Sequence, residues 1–224
     1  MQTVPQQEPA ATQPEGYVAP AAKPVYEFIK RFFDIVLCCF ALVALSPIFL
    51  VVAIAVKCED GGKVFFSQTR LTKNGKQFQM YKFRSMCPDA DALLEALLDE
   101  NEMEGPAFKI KKDPRVTRVG RFIRKTSIDE LPQLINVIKG DMSIVGPRPP
   151  IVREVEQYTP YQMHRLDVKT GLSCYRECHG RSNIHNFDEW VESDLKYIRE
   201  RSLWVDFKVI ILTIWVVLSG TGAM

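Results

Sequence analysis

Asp129 and Glu130 stand side by side just after a strongly basic stretch, in which residues 109–125 hold eight cations and a single acid, Asp113. A carboxylate held ionised beside arginines has what a nucleophile needs. Guanidinium groups also match phosphate in a bidentate way. Arg115, Arg118, Arg121 and Arg124 recur every third residue, so a helix would gather most of them along one side. The same residues have plainer readings. Ser127 and Glu130 have the spacing of a capping box, and Asp129 lies in a first helical turn, where carboxylates suit the dipole. Pro132 fits a helix that begins slightly later, with Asp129 as its cap. A basic stripe is equally a solvated face or a contact with anionic headgroups. Composition leaves both readings open.

A second candidate follows in Gly146-Pro147-Arg148-Pro149-Pro150. Three prolines restrict the backbone around Arg148 and present it on a rigid loop, which suits phosphate binding; a structural turn with an incidental arginine is the alternative. Cys174, Cys178, His179 and His185 lack the C-x2-C spacing of zinc sites and read as buried thiols and surface histidines. The six cysteines form no disulfide framework of a small secreted protein, so a reducing cytosolic setting is the default.

These candidates need elements to position them. A chain of 224 residues fits one domain, at roughly 100–200 residues per domain, and its net charge of +2 says nothing about partners. Residues 1–25, rich in Pro, Gln and Ala, read as a disordered tail without the features of a secretory signal. Residues 35–56 carry no charge, and as a straight helix would cover about 33 Å, enough for a hydrocarbon core of about 30 Å. Ser46-Pro47 interrupts them at the midpoint, and basic residues flank both ends. A kinked span and a helix that enters and leaves on one face are both consistent with this; in the second, Ser46 would help satisfy the carbonyls freed by the kink. Residues 209–218 form a second apolar stretch, about 15 Å as a helix and too short to cross. With Trp204 and Trp215 it suits either a headgroup-level helix or an amphipathic helix on the core.

Asn74-Gly75 between two apolar-aromatic runs predicts a hairpin, because both turn residues must take positive φ. Residues 88–104, with seven carboxylates and no base, predict an amphipathic helix with a solvated acidic side, ended by Gly105-Pro106. Gly140 closes the helix that follows Asp129-Glu130. No nucleic-acid-binding motif accompanies the basic stretch, which argues against that partner.

From about Tyr26 onward the chain resembles the monotopic phosphoglycosyl transferases of bacterial glycoconjugate pathways. The resemblance rests on Lys30, Arg31 and Asp34 before the apolar run, Ser46-Pro47 within it, and Tyr81-Lys82-Phe83-Arg84-Ser85-Met86. It continues through Ser127 and Asp129-Glu130-Leu131-Pro132-Gln133-Leu134, Lys139-Gly140-Asp141-Met142-Ser143, Gly146-Pro147-Arg148-Pro149 and Gly180-Arg181. Each is weak alone, and their order and spacing are specific.

The resemblance implies an α+β, mainly helical monotopic fold with a re-entrant helix broken at Ser46-Pro47, a small β-hairpin and interfacial amphipathic helices. Residues 1–25 would be the tail, 26–58 the re-entrant helix and 59–224 the catalytic domain, with 26–224 one functional unit on the cytoplasmic face of the bacterial inner membrane. It also implies an enzyme that transfers a sugar-1-phosphate from a UDP-sugar to undecaprenyl (polyprenyl) phosphate and releases UMP. Asp129 would be the nucleophile and a ligand of Mg2+, with Glu130 as base or metal neighbour. Arg124 and Arg148, then Lys82, Arg84 and Arg181, would meet substrate phosphates. Anionic phospholipids are expected partners, and a homodimer is compatible. Larger members carry an N-terminal multi-span module, which is not expected here.

One stretch departs from the pattern: Thr170 replaces a proline and Arg176-Glu177 replace Trp-Gln, at a segment expected to line the donor site. That departure motivates an alternative, an inactive membrane-anchored homologue that scaffolds glycan assembly.

Overall fold

A computed structural model describes residues 20–90, 92, 93, 97, 110, 113–178 and 186–219. The tail up to residue 19 and most of the acidic segment expected over 88–104, with its Gly105-Pro106 stop, lie outside the described residues.

Two helices, α1 (Pro24–Ala44) and α2 (Ser46–Asp60), meet at Leu45 with a bend of 61°. The chemistry of the bend is local. Pro47 has no N–H, so the carbonyl four residues earlier, on Val43, lacks its helical donor from that position. The Ser46 hydroxyl donates to that oxygen at 2.8 Å. No single helix among the described residues is long and apolar enough to cross a membrane; the bent pair passes that test jointly, by length and composition. Gly61, at φ 72°, ends α2 in the left-handed region.

Both arms return to the same body. On α1, Lys30 pairs with Asp206 at 2.7 Å, and Arg31 donates to the Val137 and Ile138 carbonyls at 2.5 and 2.7 Å. Asp34, buried, accepts the Ile144 N–H at 3.2 Å. The Lys30, Arg31 and Asp34 signature is therefore a clamp of α1 onto the body. On α2, Val52 and Val56 are buried against Phe83 and Ile123. Glu59 accepts the first two N–H groups of α3 (Arg118–Lys125), those of Arg118 and Val119, at 2.8 and 3.1 Å. Away from the body the arms are bare and apolar: Phe40 is 73% and Val43 76% exposed.

β1 (Phe65–Leu71) and β2 (Gln77–Phe83) form the expected antiparallel hairpin, with Leu71 opposite Gln77 and Phe65 opposite Phe83. Asn74 (φ 60°, ψ 27°) and Gly75 (φ 71°) occupy the turn, both left-handed, as the dipeptide predicts. The far side of β2 is met by α4 (Gln133–Lys139). Asn136, fully buried on α4, acts as a substitute strand: its amide nitrogen donates to the Gln79 carbonyl at 2.7 Å, and its amide oxygen accepts the Tyr81 N–H at 2.9 Å.

A second, parallel pair was not expected. β3 (Ser143–Val145) lies beside β4 (Gly171–Ser173), and strands of three residues are too short to show alternation in sequence. Between them come the short helices α5 (Val152–Val155) and α6 (Pro160–Met163), and after β4 comes α7 (Tyr175–Cys178). The largest core cluster joins β3 to α8 (Phe187–Glu200) through Val145, Phe187, Trp190, Leu195 and Ile198. Arg165 is buried in it, paired with Asp194 at 2.7 Å and set 4.9 Å from the Trp190 ring.

The C-terminal helix α9 (Leu203–Ser219) is 17 residues long, where the apolar stretch alone indicated ten. Asp206 falls inside it and is buried, accepting from Tyr26 and Tyr197 at 2.8 Å each and from Lys30. Val209 packs on the core. Trp204, Phe207, Ile214 and Trp215 face outward, with Trp204 stacked on Phe207. The helix is therefore docked on the core along one side, as one of the two sequence readings expects, and leaves an exposed aromatic-aliphatic side.

Candidate active site

Asp129 and Glu130 sit in a single 3-10 turn, Ile128–Glu130, between α3 and α4. Ser127 enters that turn at φ 55°, a left-handed conformation that costs a residue with a Cβ about 1–3 kcal/mol. It makes no capping hydrogen bond, and α4 starts after Pro132 without a side-chain cap. Neither the capping-box spacing nor Asp129 as a cap is realised. The left-handed residue turns the chain before it can nucleate a helix, and the acidic pair is delivered on the turn instead.

Lys82 meets this turn from β2. Its Nζ is 2.8 Å from Glu130 Oε1 and 3.9 Å from Asp129 Oδ2, so one ammonium group serves two adjacent carboxylates. Asp129 is 7% exposed. The register of β2 fixes this contact, because Asn136 grips the strand at Gln79 and Tyr81, just before Lys82.

Arg148 comes from the opposite side. The prolines around it can accept hydrogen bonds and cannot donate them. The loop is fastened through its carbonyls: Gly171 N–H donates to Pro147 O at 2.9 Å and Leu71 N–H to Pro150 O at 3.0 Å. Gly171 has no room for a side chain here, since a Cβ would stand 2.1 Å from the Gly146 nitrogen. Between the two sides lies a cleft. Met80 and Lys82 of β2, Glu130, Gln133 of α4, Arg148 with Pro149, and Gly171 with Leu172 of β4 line it.

Lys82, Glu130 and Arg148 thus converge on one cleft, with Asp129 joined to it through Lys82. The other candidates stand elsewhere. Arg84 does not line the cleft. Its guanidinium makes a two-pronged ion pair with Asp60, and it also donates to the carbonyls of Lys63 (2.5 Å), Met86 (3.2 Å) and Val56 (3.4 Å). All five N–H groups are thereby used to seal the end of α2 against β2, and the phosphate role expected of Arg84 has no donor left to serve it. Arg124 lies in the last turn of α3 and does not line the cleft; burial raises the Asp113 carboxyl, and the hydrogen bonds and charge of Arg115, with the charge of Arg124 last, hold it below the usual carboxylate range. Arg181, His179 and His185 lie outside the described residues.

Two of the three residues that depart from the expected pattern, Thr170 and Arg176, do not line the cleft. Arg176 is buried on α7 with its guanidinium 4.0 Å from the Trp190 ring of the core. Arg70 and Gln133 are the neighbours that sequence reasoning missed. Arg70 belongs to a strand, and only tertiary pairing brings it to the Arg148 loop; Gln133 follows Glu130 by three residues and reaches the cleft at the start of α4.

Among the described residues no group of three or more His, Cys, Asp or Glu is disposed around a metal position. Two hard carboxylates on adjacent residues are nevertheless the donor set that Mg2+ takes when it keeps several waters and completes its shell with substrate phosphate.

Comparison with known proteins gives a family match. The model of the family described as bacterial sugar transferase covers residues 25–220. Among relatives, a galactosyl transferase of Streptococcus agalactiae is 51% identical over 196 residues, 87% of this chain and 43% of the relative. An undecaprenyl-phosphate galactose phosphotransferase of Salmonella typhimurium is 41% identical over 206 residues, 90% of this chain and 43% of the relative. An exopolysaccharide production protein of Sinorhizobium fredii is 38% identical over 207 residues, 91% of each. The chain therefore spans less than half the length of the first two and nearly all of the third.

Proposed function

The chain belongs to the bacterial sugar transferase family, and on that footing we propose that it is a phosphoglycosyl transferase that moves a sugar-1-phosphate from a UDP-sugar to undecaprenyl phosphate. The observation that carries this reading is the convergence of Lys82, which bridges Glu130 and Asp129, with Arg148 on its fastened loop. Two relatives of matching sequence are named for galactose transfer, one of them with undecaprenyl phosphate as acceptor, so a UDP-hexose is the first donor to try.

In the proposed reaction an Asp129 carboxylate oxygen attacks the β-phosphorus of the donor. The bond from that phosphorus to the bridging oxygen breaks, and UMP leaves with the electron pair. An oxygen of undecaprenyl phosphate then attacks the same phosphorus, which releases Asp129 as carboxylate and yields the lipid diphosphosugar. Lys82 orients Asp129 and Glu130 through its shared ion pair, and Arg148 neutralises phosphate charge as it develops. Asp129 and Glu130 would hold Mg2+, which when bound supplies further charge neutralisation to the phosphates. A covalent step lets a soluble donor and a lipid acceptor react in turn at one carboxylate.

The bent helix pair is proposed to enter and leave one leaflet, with the catalytic body on the cytoplasmic face of the inner membrane. Two observations support this. The C-terminal half of α2 is fastened to the same body as the N-terminal half of α1, and the exposed apolar residues of the elbow have no protein to cover them among the described residues. The outward side of α9, with Trp204 and Trp215, suits the headgroup level, where anionic phospholipids would meet the exposed Arg121 and Lys125 of α3.

The test is UMP release from the purified protein with Mg2+, undecaprenyl phosphate and a panel of UDP-sugars, beside Asp129→Asn. Incubation with donor alone should also add one sugar-phosphate to the mass of the wild-type protein and none to the variant. Turnover retained in Asp129→Asn would remove Asp129 as nucleophile. Silence across the panel in folded protein would return the scaffold reading.

A further inference from the structure

Arg148 is held by more than its prolines. Three carbonyls around it need donors, and two of them are served by backbone N–H groups, Gly171 to Pro147 and Leu71 to Pro150. The third, on Pro149 directly after Arg148, is served by a side chain: Arg70 Nη1 donates to it at 3.0 Å. Arg70 is itself fixed. Its Nε and Nη2 both donate to Gln68 Oε1, at 3.1 and 2.7 Å, and Gln68 lies two residues earlier on the same strand, hence on the same face. The peptide that carries Arg148 is thus fastened to β1 by a planar group whose plane a second side chain sets. The backbone agrees, since Arg70 and Ile151 form an isolated antiparallel bridge just beyond the loop.

This arrangement sets the Arg70 guanidinium behind the cleft-lining Arg148-Pro149 segment, close enough to feel the charge of Arg148. Burial, and next the charge of Arg148, pull the Arg70 pKa down to about 10, against the opposing pull of Glu154 and Glu130. A cation set in such a position is not one that surface solvation would choose, and the fork it presents to Pro149 is a sufficient reason for it to be there.

We infer that Arg70 is a positioning residue for the proposed phosphate site, acting through Arg148 by holding the Pro149 carbonyl. The inference rests on the reading of Arg148 as a phosphate ligand. Lysine at position 70 keeps the charge and cannot reproduce the fork to Gln68 and Pro149 at once. A displacement of the Arg148 group by about 1 Å is enough for a loss on the order of 10²-fold.

The experiment is a double-mutant cycle on kcat/KM for the donor, with Arg70→Lys, Arg148→Lys and the double variant, each checked by its melting temperature. The expected result is that each single variant loses on the order of 10²-fold and that the double variant loses hardly more than Arg148→Lys alone. A residue with a merely structural role would multiply instead, to roughly 10⁴-fold in the double variant, and that result would overturn the inference while leaving the site reading in place. Wild-type turnover in Arg148→Lys would overturn both. Should Arg70→Lys fail to fold, Gln68→Leu takes its place: it releases two of the three Arg70 contacts, and its loss should likewise vanish in the Arg148→Lys background.

Discussion

Replacing Pro47 by alanine tests the proposed membrane arm most directly, because it removes the chemical cause of the bend. Alanine restores the N–H that Val43 O lacks and removes the ring clash, which together favour a straight helix by about 3 kcal/mol. Straightening, however, must pull the end of α2 off the body. Val52 and Val56, 6% and 2% exposed, would pass from the body into hydrocarbon at little hydrophobic cost, since lipid tails are as apolar as their side chains. The Glu59 bonds to the start of α3 add about 1 kcal/mol, and Lys57, Glu59 and Asp60 would have to cross the bilayer as well. The Glu59 bonds, the Arg84–Asp60 ion pair and the cost of carrying charged side chains through hydrocarbon outweigh about 3 kcal/mol of helix preference, so Pro47→Ala keeps the proposed one-sided topology. Depth follows from the same geometry. The apolar part of each arm is about 15 Å long. At a bend of 61°, set symmetrically, each arm of the proposed re-entrant pair would lie roughly 60° from the membrane normal, and the elbow would reach about 8 Å into a leaflet about 15 Å deep. The assay uses Cys58, exposed near the end of α2, as the sole cysteine. A membrane-impermeant maleimide should label it from the cytoplasmic side in both wild type and Pro47→Ala. Labelling only from the opposite side in the wild type would refute the re-entrant reading. The same outcome confined to Pro47→Ala would refute the energetic comparison.

Three further outcomes follow from contacts around the cleft. Asn136→Ala leaves the Gln79 carbonyl and the Tyr81 N–H without their partner in a buried position, and should lower stability by about 3 kcal/mol, a fall in Tm of roughly 6–12 °C in a melting scan. Gly171→Ala forces a Cβ to within 2.1 Å of the Gly146 nitrogen, so the β3–β4 pair must part; the expected result is a poorly folded protein, read from yield and thermal melting. Lys82→Met leaves two adjacent carboxylates without their shared cation and should lower UMP release on the order of 10²-fold at near-unchanged Tm, with Lys82→Arg recovering part of it.

What the sequence revealed was local chemistry. Asn74-Gly75 announced its turn because only residues tolerant of positive φ fit it, and Ser46-Pro47 announced the bend because a missing N–H and a spare hydroxyl are properties of those two side chains. Lys82 and Arg84 show where that legibility ends. They stand two apart in one motif, yet Lys82 is within the strand and reaches Glu130, whereas Arg84 lies just past its end and turns to Asp60. Nothing in the motif separates them; the partner, 24 residues away, does. Ser127 and Glu130 failed as a capping box for a related reason, since a left-handed Ser127 is imposed by packing that spacing cannot express. Arg70 stayed invisible because its role exists only once the Pro149 carbonyl, 79 residues on, lies against β1.

Asp206 carries one more consequence, for the order in which the molecule is made. The arm that begins at Pro24 is synthesised early, and the carboxylate that locks its Lys30 follows 176 residues later. Until α9 is made, Tyr26 and Lys30 lack the Asp206 carboxylate, and α1 is held to the body further along, by Arg31 and Asp34. The root of the first arm is thus fastened only after residue 206 has been added, and a chain that stalls before it carries an arm held along its length and loose at its beginning.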